Sequence, residues 1–539
     1  MEIKYTMELL QPVTTASMGI IGKDINVTVK VDKGGKPVFT GKQMKGVLRK
    51  TVKNFKAALE NKEEAEEFIK KYFGTEGSDI VEDRKLKIRF SNLKVSSEFN
   101  ETKIDSRYGI RIDRKTRTTE DNSLFNYEFL NKGLIFEGKI EIDDSIKEED
   151  LKFILASLEH VDFIGGLKSR GLGKVKIKLE QDRDEILNEL RNKKNQTNKN
   201  ISISENIMES YSYTLELRED IILKEEEKGN NISVRDSIQG STLRGAVIAY
   251  FVKNGVELEK LIKIEASDAL EVGKKIKLSS SFETKYPIGK EKVKVDKVIH
   301  DKISIPDGDR NVKLERSSLT MMDEKINEIN IGIDETTKSV KETMLFNTEV
   351  ILGKRKILKG DFKAPKGLIE KKKKYKIFIG KMKSKGFGKA EILFEDYNAE
   401  KIESIKERIE NLNKCRDVKK EIRDEFLITF DLMSDIVLPF NELHDVGEQF
   451  KILAGLDEKI KFNLEKSFIN IKKMGGYNII NQWRKADELI ICRGSVITYF
   501  VPNYTEILER LNNIESEGLG LRKNEGFGRI RICSARGEE

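Results

Sequence analysis

The sequence predicts an α+β protein made of several tandem domains, and three observations predict it. At 539 residues the chain exceeds what one ordinary hydrophobic core holds, so two to four domains are expected. A short glycine motif occurs three times, far enough apart to mark separate domains rather than small solenoid units. Strand-like runs with period-two alternation precede glycine turns that open amphipathic segments.

Taken in order, the run 5–10 alternates apolar and polar residues and reads as a half-buried strand. Gly41-Lys42-Gln43-Met44-Lys45-Gly46-Val47-Leu48-Arg49 reads as a glycine turn opening a helix. The run 211–217 and the segment Gly240-Ser241-Thr242-Leu243-Arg244-Gly245-Ala246-Val247 repeat that pair. The recurrent motif is Gly171-Leu172-Gly173-Lys174-Val175-Lys176-Ile177, then Gly386-Phe387-Gly388-Lys389-Ala390-Glu391-Ile392, then Gly526-Phe527-Gly528-Arg529-Ile530-Arg531-Ile532. Each long unit therefore reads strand, loop, glycine turn, helix, further strands, glycine loop, final strand. That order fits tandem ferredoxin-like (RRM-like) domains with mainly antiparallel sheets and glycine-rich loops. The segment 191–206 is rich in Asn, Lys and Ser and reads as a linker. In 401–423 charges alternate in sign around Ile402, Ile405, Ile409 and Leu412, which predicts a solvated, charged helical connector. The expected domains are thus 1–190, 207–400 and 424–539.

Bulk properties narrow the function classes. Hydrophobic residues make up 38% and charged residues 36%, enough apolar material for real cores beneath a highly charged surface. A net charge of +8 is mild at this length, so any case for a nucleic-acid partner rests on local distribution. No stretch reaches the roughly 18 consecutive apolar residues of a membrane span, and the N-terminus reads as a strand rather than a signal peptide. A cytoplasmic protein is expected. Cys415, Cys492 and Cys533 form no CxxC pair, and the histidines are only His160, His300 and His444, so zinc, disulfide and paired-histidine chemistry are poorly supplied.

Basic residues precede each glycine motif: Lys168 and Arg170; Lys381, Lys383 and Lys385; Arg522 and Lys523. Glycines let backbone N–H groups approach phosphates, and flanking bases add salt-dependent affinity. The other reading of a lone G-x-G is a tight hairpin or bulge. Three copies with the same flanks favour loops that track an RNA backbone. The loops precede strands, not helices, which excludes dinucleotide and P-loop phosphate sites.

These residues resemble the RAMP superfamily of CRISPR-associated proteins. Residues 1–180 look like the backbone subunit of type III effectors, through Asp24-Ile25-Asn26, Gly35-Lys36-Pro37 leading to 41–49, and Gly109-Ile110-Arg111-Ile112-Asp113-Arg114-Lys115-Thr116. Leu124-Phe125 with Glu128 and Gly133, and the stretch 165–173, complete that likeness. Residues 207–539 look like the type III-D cap subunit that grips the guide's 5′ tag. The carriers are 230–236 running into Gly240, Leu345-Phe346, 383–388, Ser434-Asp435, Gly494-Ser495-Val496 and Gly518-Leu519-Gly520-Leu521-Arg522. Thr40 and Gln239 stand where the family usually has proline. The resemblance implies guide RNA and target RNA as ligands, a large polymerase-like signalling subunit and further RAMP subunits as partners, and no membrane.

By the same resemblance Asp24 occupies the position of the family's catalytic aspartate. Such a carboxylate holds Mg²⁺ or another divalent metal near a scissile phosphate while the flipped-out nucleotide's own 2′-OH attacks. Asp32 reads instead as a turn-capping residue before Gly34-Gly35. The implied RNA-binding set is Lys42, Lys45, Arg49, Arg107, Arg111, Arg114, Lys115, Lys168, Arg170, Gly171, Gly173, Lys174, Ser241, Arg244, Lys383, Lys385, Gly386, Gly388, Arg522, Lys523, Gly526, Gly528 and Arg529. Arg107, Tyr108 and the bases up to Arg117 suggest a hairpin lying over RNA. The run 371–374 reads as a solvated strand entrance, His300 as a surface residue, and Trp483, with Tyr477 and Arg484, either as a core anchor or as a base-stacking group. Three functional expectations follow: a metal-dependent endoribonuclease that holds a guide, a non-catalytic guide scaffold, and a guide-processing endoribonuclease using Lys or Tyr.

Overall fold

The computed structural model describes the chain except residues 16, 19–24, 33, 75–86, 100–103, 122, 196–203, 236, 274–275, 287–291, 301–313, 317–324, 334–339, 354–355, 398–402, 415–424, 440–443, 479–482 and 537–539. One α+β arrangement occurs three times. In the first unit the strands Glu2–Leu9 and Ile135–Ile142 are antiparallel neighbours. Val175–Leu179 flanks the former, and Ile88–Phe90 and Leu93–Val95 flank the latter. The helices Gly41–Leu59 and Glu148–Glu159 follow the first and third strands and cover one sheet face. Alternation puts Ile3, Tyr5, Met7 and Leu9 into this core, opposite Met44, Leu48 and Val52 from the first helix. Each such buried side chain contributes about 1.5–3 kcal/mol. Thr40 starts the first helix with a reciprocal capping box to Gln43, so this turn is built without the proline.

The second unit repeats that strand order with Ser204–Leu217, the helix Gly240–Lys253, the short strands Glu265–Ala266 and Leu270–Glu271, then Ile357–Lys366 and Lys389–Asp396. In place of a second helix, the chain forms the strand Lys374–Phe378, hairpinned onto the last strand. The third unit uses Phe426–Leu432, the helix Val446–Ala454, Lys461–Phe462, Val496–Val501, the helix Leu508–Glu517 and Ile530–Ile532. Each unit also projects a β-arm between its second and third strands. The arms are Ile104–Gly109 with Phe125–Leu130, Lys325–Ile333 with Val340–Ile351, and Ile471–Asn478 with Trp483–Ile491.

The expected solvated connector is instead part of the third core. In the helix Ile405–Lys414, Ile405, Ile409 and Leu412 are buried, and Arg408 is tied to Glu515 at 2.8 Å and to the Ile532 carbonyl at 2.6 Å. The charge alternation described one face of this helix; its apolar stripe decided where it packs. The helix Arg183–Asn195 and the strand Ser204–Leu217 enter both ends of the expected 191–206 linker, whose residues 196–203 lie outside the described residues.

The units join through one repeated contact. At the first joint the turn Lys383–Lys385 of the second unit sits on the start of the Gly41 helix. The Asn92 side chain accepts the Gly41 N–H at 2.9 Å. A methyl group on Gly41 would stand 2.5 Å from the Phe90 carbonyl oxygen and 3.1 Å from that of Lys385. Lys45 donates to Ser384 at 2.9 Å, and Arg89 donates to the Lys383 carbonyl at 2.8 Å. At the second joint the turn Lys523–Glu525 sits on the Gly240 helix in the same way. Asp268 accepts the Gly240 N–H at 2.8 Å, a methyl group on Gly240 would overlap the Ala266 carbonyl, and the Glu525 carbonyl lies 2.9 Å from that methyl position. Arg529 pairs with Asp361 across this joint at 2.9 Å.

A further tie fixes the second unit's strands Ser281–Thr284 and Lys294–Asp296 to the third. Buried Arg536 bridges Asp296, at 2.8 Å, and fully buried Asp431, at 2.5 Å. Arg536→Ala would leave Asp431 charged and without its cation in a desolvated site, so unfolding stability is expected to fall by about 3–5 kcal/mol, measured by urea titration; a loss below about 1 kcal/mol contradicts the assignment. Asp268 supplies a second test. Burial raises its carboxyl to about 6, against the opposing pull of Arg493. The folded state therefore holds this proton more tightly than the unfolded chain, and the stability this group contributes is present below about pH 4 and lost as pH rises through about 6. Asp268→Asn keeps an acceptor for Gly240, as Asn92 does for Gly41. Its stability relative to the parent should rise by on the order of 3 kcal/mol between pH 4 and 7; a difference independent of pH refutes the argument.

Candidate nucleic-acid interface

All three glycine loops share one backbone. In the first, Gly165, Leu167, Gly171 and Gly173 have φ of 83°, 54°, 78° and 93°. Gly380, Met382, Gly386 and Gly388 follow with 82°, 55°, 92° and 87°, and Gly520, Arg522, Gly526 and Gly528 with 84°, 59°, 88° and 83°. The repeat is thus longer than the G-x-G that the sequence displays. It begins at an earlier glycine and holds a non-glycine residue in the left-handed region, which costs of order 1–3 kcal/mol. That residue is invisible to a glycine search. The lysine following it is the same in each copy: Lys168, Lys383 and Lys523.

The loops differ in surroundings. Lys168, Ser169, Arg170 and Gly171 are exposed, whereas Ser384, Gly386, Gly388, Gly526 and Gly528 are buried. The second and third loops are pressed against the preceding unit, whereas the tip of the first is open. Within them the lysine side chains still face outward in part, since Lys383 and Lys385 are half-buried and Lys523 exposed. In the first loop Lys168 donates to the Phe163 carbonyl at 3.2 Å, and partial desolvation with Lys50 nearby lowers its ammonium below the usual lysine range.

Several basic residues of the expected set are engaged with protein. Lys45 is buried on Ser384, as described. Lys42 lies 5.5 Å from the centre of the Phe346 ring on the second arm. Arg244 donates to the Ile264 and Ile262 carbonyls at 2.7 and 2.5 Å, and burial lowers it. Arg522 is neutralised by Glu488 and Glu525 at 2.6 and 2.5 Å, and Arg529 by Asp361. Arg49 and Ser241 are half-buried on their helices, and Lys174 is exposed just before the last strand of the first unit.

The first arm presents the open basic surface. Arg107, Arg111, Arg114, Lys115 and Arg117 are exposed, with Tyr108 71%, Ile110 52%, Ile112 55% and Leu124 65% exposed beside them. Asp113 makes the tip rigid by accepting the N–H groups of Lys115 at 2.6 Å and Thr116 at 3.1 Å, which hold its carboxyl below the usual range. Arg170 of the first glycine loop stands 5.9 Å from the centre of the Phe125 ring, which faces Gly109 at the tip end of the arm's strand pair. The loop and the arm therefore form one surface.

Asp24, the expected catalytic and metal-holding residue, lies outside the described residues. The chain just after it is anchored: Asn26 and Asn126 exchange N–H to side-chain oxygen bonds at 2.7 and 2.9 Å. Val29 N–H donates to Glu128 at 2.9 Å. The second unit repeats the last bond from Val234 to Glu349 at 3.0 Å. This equivalence exposes a motif the sequence reading divided, Leu124-Phe125-Asn126-x-Glu128 against Leu345-Phe346-Asn347-x-Glu349. Counted five residues back from the N–H donors Val29 and Val234, the sequence has Asp24 in the first unit and Gly229 in the second. Among the described residues, no three His, Cys, Asp or Glu side chains cluster to hold a metal, and no helix is long and apolar enough to cross a membrane. Burial raises the thiols of Cys492 and Cys533 to about 11 and about 12, making both poor nucleophiles; Cys415 lies outside the described residues. Lys371 and Lys373 pair with Asp396 and Glu370 at the surface. The side chains of Tyr477, Trp483 and Arg484 and all of Asp301 lie outside the described residues, while His300 is half-buried.

No curated protein matches the sequence. Among solved structures, a chain of the type III-B Cmr-beta complex bound to cognate target RNA and AMPPnP is similar at 14% identity and TM-score 0.32, over 57% of this chain and 89% of that one. A chain of Cmr-beta bound to cognate target RNA gives 11% and 0.27, over 35% and 98%. A chain of a type IV-B CRISPR complex gives 13% and 0.24, over 33% and 90%. The RAMP superfamily model matches residues 6–176, from the first strand of the first unit to its last, so it is this N-terminal unit that is similar to the RAMP superfamily.

Proposed function

We propose that the chain is an RNA-holding subunit of a CRISPR type III (III-D-like) interference complex, built from three ferredoxin-like domains. In this reading the first domain acts as a backbone element and the other two as a cap on the guide's 5′ tag. Guide RNA, target RNA, other RAMP subunits and a large polymerase-like subunit are its partners. The observation that carries the reading is the threefold repeat of one lysine at one loop position, Lys168, Lys383 and Lys523, in units stacked in the same sense. Like cations at the same loop position of three joined units suit a polyanionic backbone. The exposed arginines of the first arm extend that surface, with Tyr108 available to stack on a base.

Asp24 is the residue that would hold a divalent cation, which would supply charge stabilisation at a scissile phosphate. The anchored Asn26 and Val29 fix the chain two and five residues beyond it. At the corresponding count in the second domain stands Gly229, which offers no carboxylate for this chemistry.

Three experiments test the proposal. The protein is co-expressed with a repeat-spacer transcript, and the RNA it carries is sequenced; RNAs sharing one repeat-derived 5′ end are expected, and protein free of RNA or carrying random fragments contradicts the reading. Combined Lys168→Ala, Lys383→Ala and Lys523→Ala should reduce the slope of log affinity against log salt by about 2, with an unchanged melting temperature. Asp24→Ala should then abolish metal-dependent cleavage of complementary RNA while guide retention persists. Unaltered cleavage would remove Asp24 from the reaction, and no cleavage by the parent protein would leave the scaffold reading.

A further inference from the structure

We infer that the first unit docks and undocks as one piece on a rigid body formed by the second and third units, and that Arg89 is the pin of that joint. The two joints share a backbone contact but differ in what surrounds it. At the second joint the second unit sends a segment into its neighbour's core. The chain leaves the second sheet after Leu270–Glu271, which pairs with Ile357–Lys366, and returns at the second arm's strand Lys325–Ile333. Between these points Val298 and Ile299 are buried within the third core, and Leu278 packs against it. The Phe282 and Phe468 rings meet at 5.9 Å. Ser279 N–H donates to the Gly494 carbonyl at 2.7 Å, and Asn470 donates to the Ser279 hydroxyl at 2.9 Å. Buried Lys466 donates to the Lys297 carbonyl at 3.3 Å. Parting the second and third units would therefore open the third core to water, which apolar burial opposes.

The first joint is built otherwise. Among the described residues the first and second cores share no member: one draws on residues 1–190, the other on residues 211–394. Beyond the glycine contact, charges hold the two units together. Arg89, only 7% exposed, reaches from the strand Ile88–Phe90 to Glu219 and contacts Glu141 of its own unit at 3.3 Å. Lys389 returns from the second unit to Glu141, and to Glu2 at 3.5 Å. Phe346 and Phe378 face the joint, and each receives a cation, Lys42 and Arg89, at 5.5 and 4.6 Å from the ring centre. Lys253 pairs with Asp143 at 3.0 Å, and Lys30 with Glu328. Polar interfaces of this kind permit relative motion of domains, whereas large apolar ones suppress it.

Arg89 is central because it sits between carboxylates of both units. It and Lys389 stand among Glu2, Glu141 and Glu219, and burial raises the Glu219 carboxyl against the pull of Arg89. Without Arg89 the Glu219 carboxylate would lack its main cation in a desolvated place, a strain relieved when it reaches water. At this joint water is reached by parting the units, with neither core exposed, so undocking is the response and unfolding is not. The glycine contact makes that event all-or-none. The Lys383–Lys385 turn seats on Gly41 without slack, and a packed contact of this kind is either made or lost. The inference follows from the joints alone and does not rest on the function proposed above; a polyanion bound across the first joint would favour the docked state.

The test uses the full chain with ketone-bearing residues at two positions at a time, each coupled to a nitroxide, and pulsed dipolar EPR reads the distance between them. Glu180 and Lys359 report on the first joint, Lys359 and Glu509 on the second; all three positions are exposed. In Arg89→Ala the 180–359 pair is expected to shift toward a longer, broader population, raised about tenfold or more over its share in the parent. Glu219→Ala, on the other side of the joint, should do the same. In both variants the amides of Glu2–Leu9 should keep their protection from hydrogen exchange, which separates undocking from misfolding of the first unit. Should Arg89→Ala lose that protection, Glu219→Ala decides. Arg529→Ala removes the pair with Asp361 at the second joint and should leave the 359–509 distance a single narrow population. An unchanged 180–359 distance in either variant overturns the proposal. Lost protection of Glu2–Leu9 in both variants, or a long 359–509 population in Arg529→Ala, overturns it equally.

Discussion

The whole assembly depends on the closeness with which backbone meets backbone at the start of two helices. At Gly240 a single methyl group would overlap the Ala266 carbonyl and press on Glu525, so strand, helix and incoming turn share a space that only glycine leaves empty. Helix N-termini carry unpaired N–H groups. Here one is satisfied by Asn92 or Asp268 from the break between the two neighbouring short strands, and this holds strand and helix in the register the turn requires. The turn in turn needs a left-handed residue followed by glycines to present its carbonyls outward. Neither half tolerates a shift of the other, which explains why the same contact recurs with so little variation across sheets that differ in length and in their second helix.

The two joints show how one geometry accepts different electrostatics. The first uses a neutral amide as cap and surrounds it with paired charges: Arg89 contacts Glu141 and Glu219, while Lys389 contacts Glu141 and Glu2. The second uses a carboxylate that burial disfavours, set 3.5 Å from Arg493. A buried charge of this kind is costly by itself and specifies its partner strongly. Arg536 follows the same logic in the third core, where it holds a strand of the second unit against Asp431.

Much of this was legible in the sequence. Alternation in 5–10 and 211–217 corresponds to the strands Glu2–Leu9 and Ser204–Leu217, and the glycine turns at 41 and 240 to the starts of the helices Gly41–Leu59 and Gly240–Lys253, because burial periodicity and turn chemistry are properties of the chain itself. What was not legible follows equally from physics. The left-handed residues Leu167, Met382 and Arg522 carry no compositional mark. The pairing of Glu128 with Val29, and of Glu349 with Val234, depends on parallel contacts between distant segments. The bases Lys45, Arg244 and Arg522 read as phosphate ligands because a sequence shows charge and not its neighbours; the fold turns each of them toward a serine, a carbonyl or a carboxylate. The 401–423 segment was misjudged for the complementary reason, since a charged face is visible in sequence but the core awaiting the opposite face is not.

The RNA role proposed for these loops requires a division between backbone and side chains, and the observed geometry has one. In the docked turns the carbonyls and the middle side chain, Ser384 in the second unit, point into the preceding unit, while the lysine at the first position remains at the surface. Stacking therefore need not hide the cations. It spaces them, because each joint fixes the next lysine relative to the last through rigid backbone contacts instead of flexible side chains. A polyanion laid along such a row would cross every joint, and its binding would favour the stacked arrangement that creates the row. Assembly and RNA capture would then be linked in free energy even though they use different atoms of the same turn.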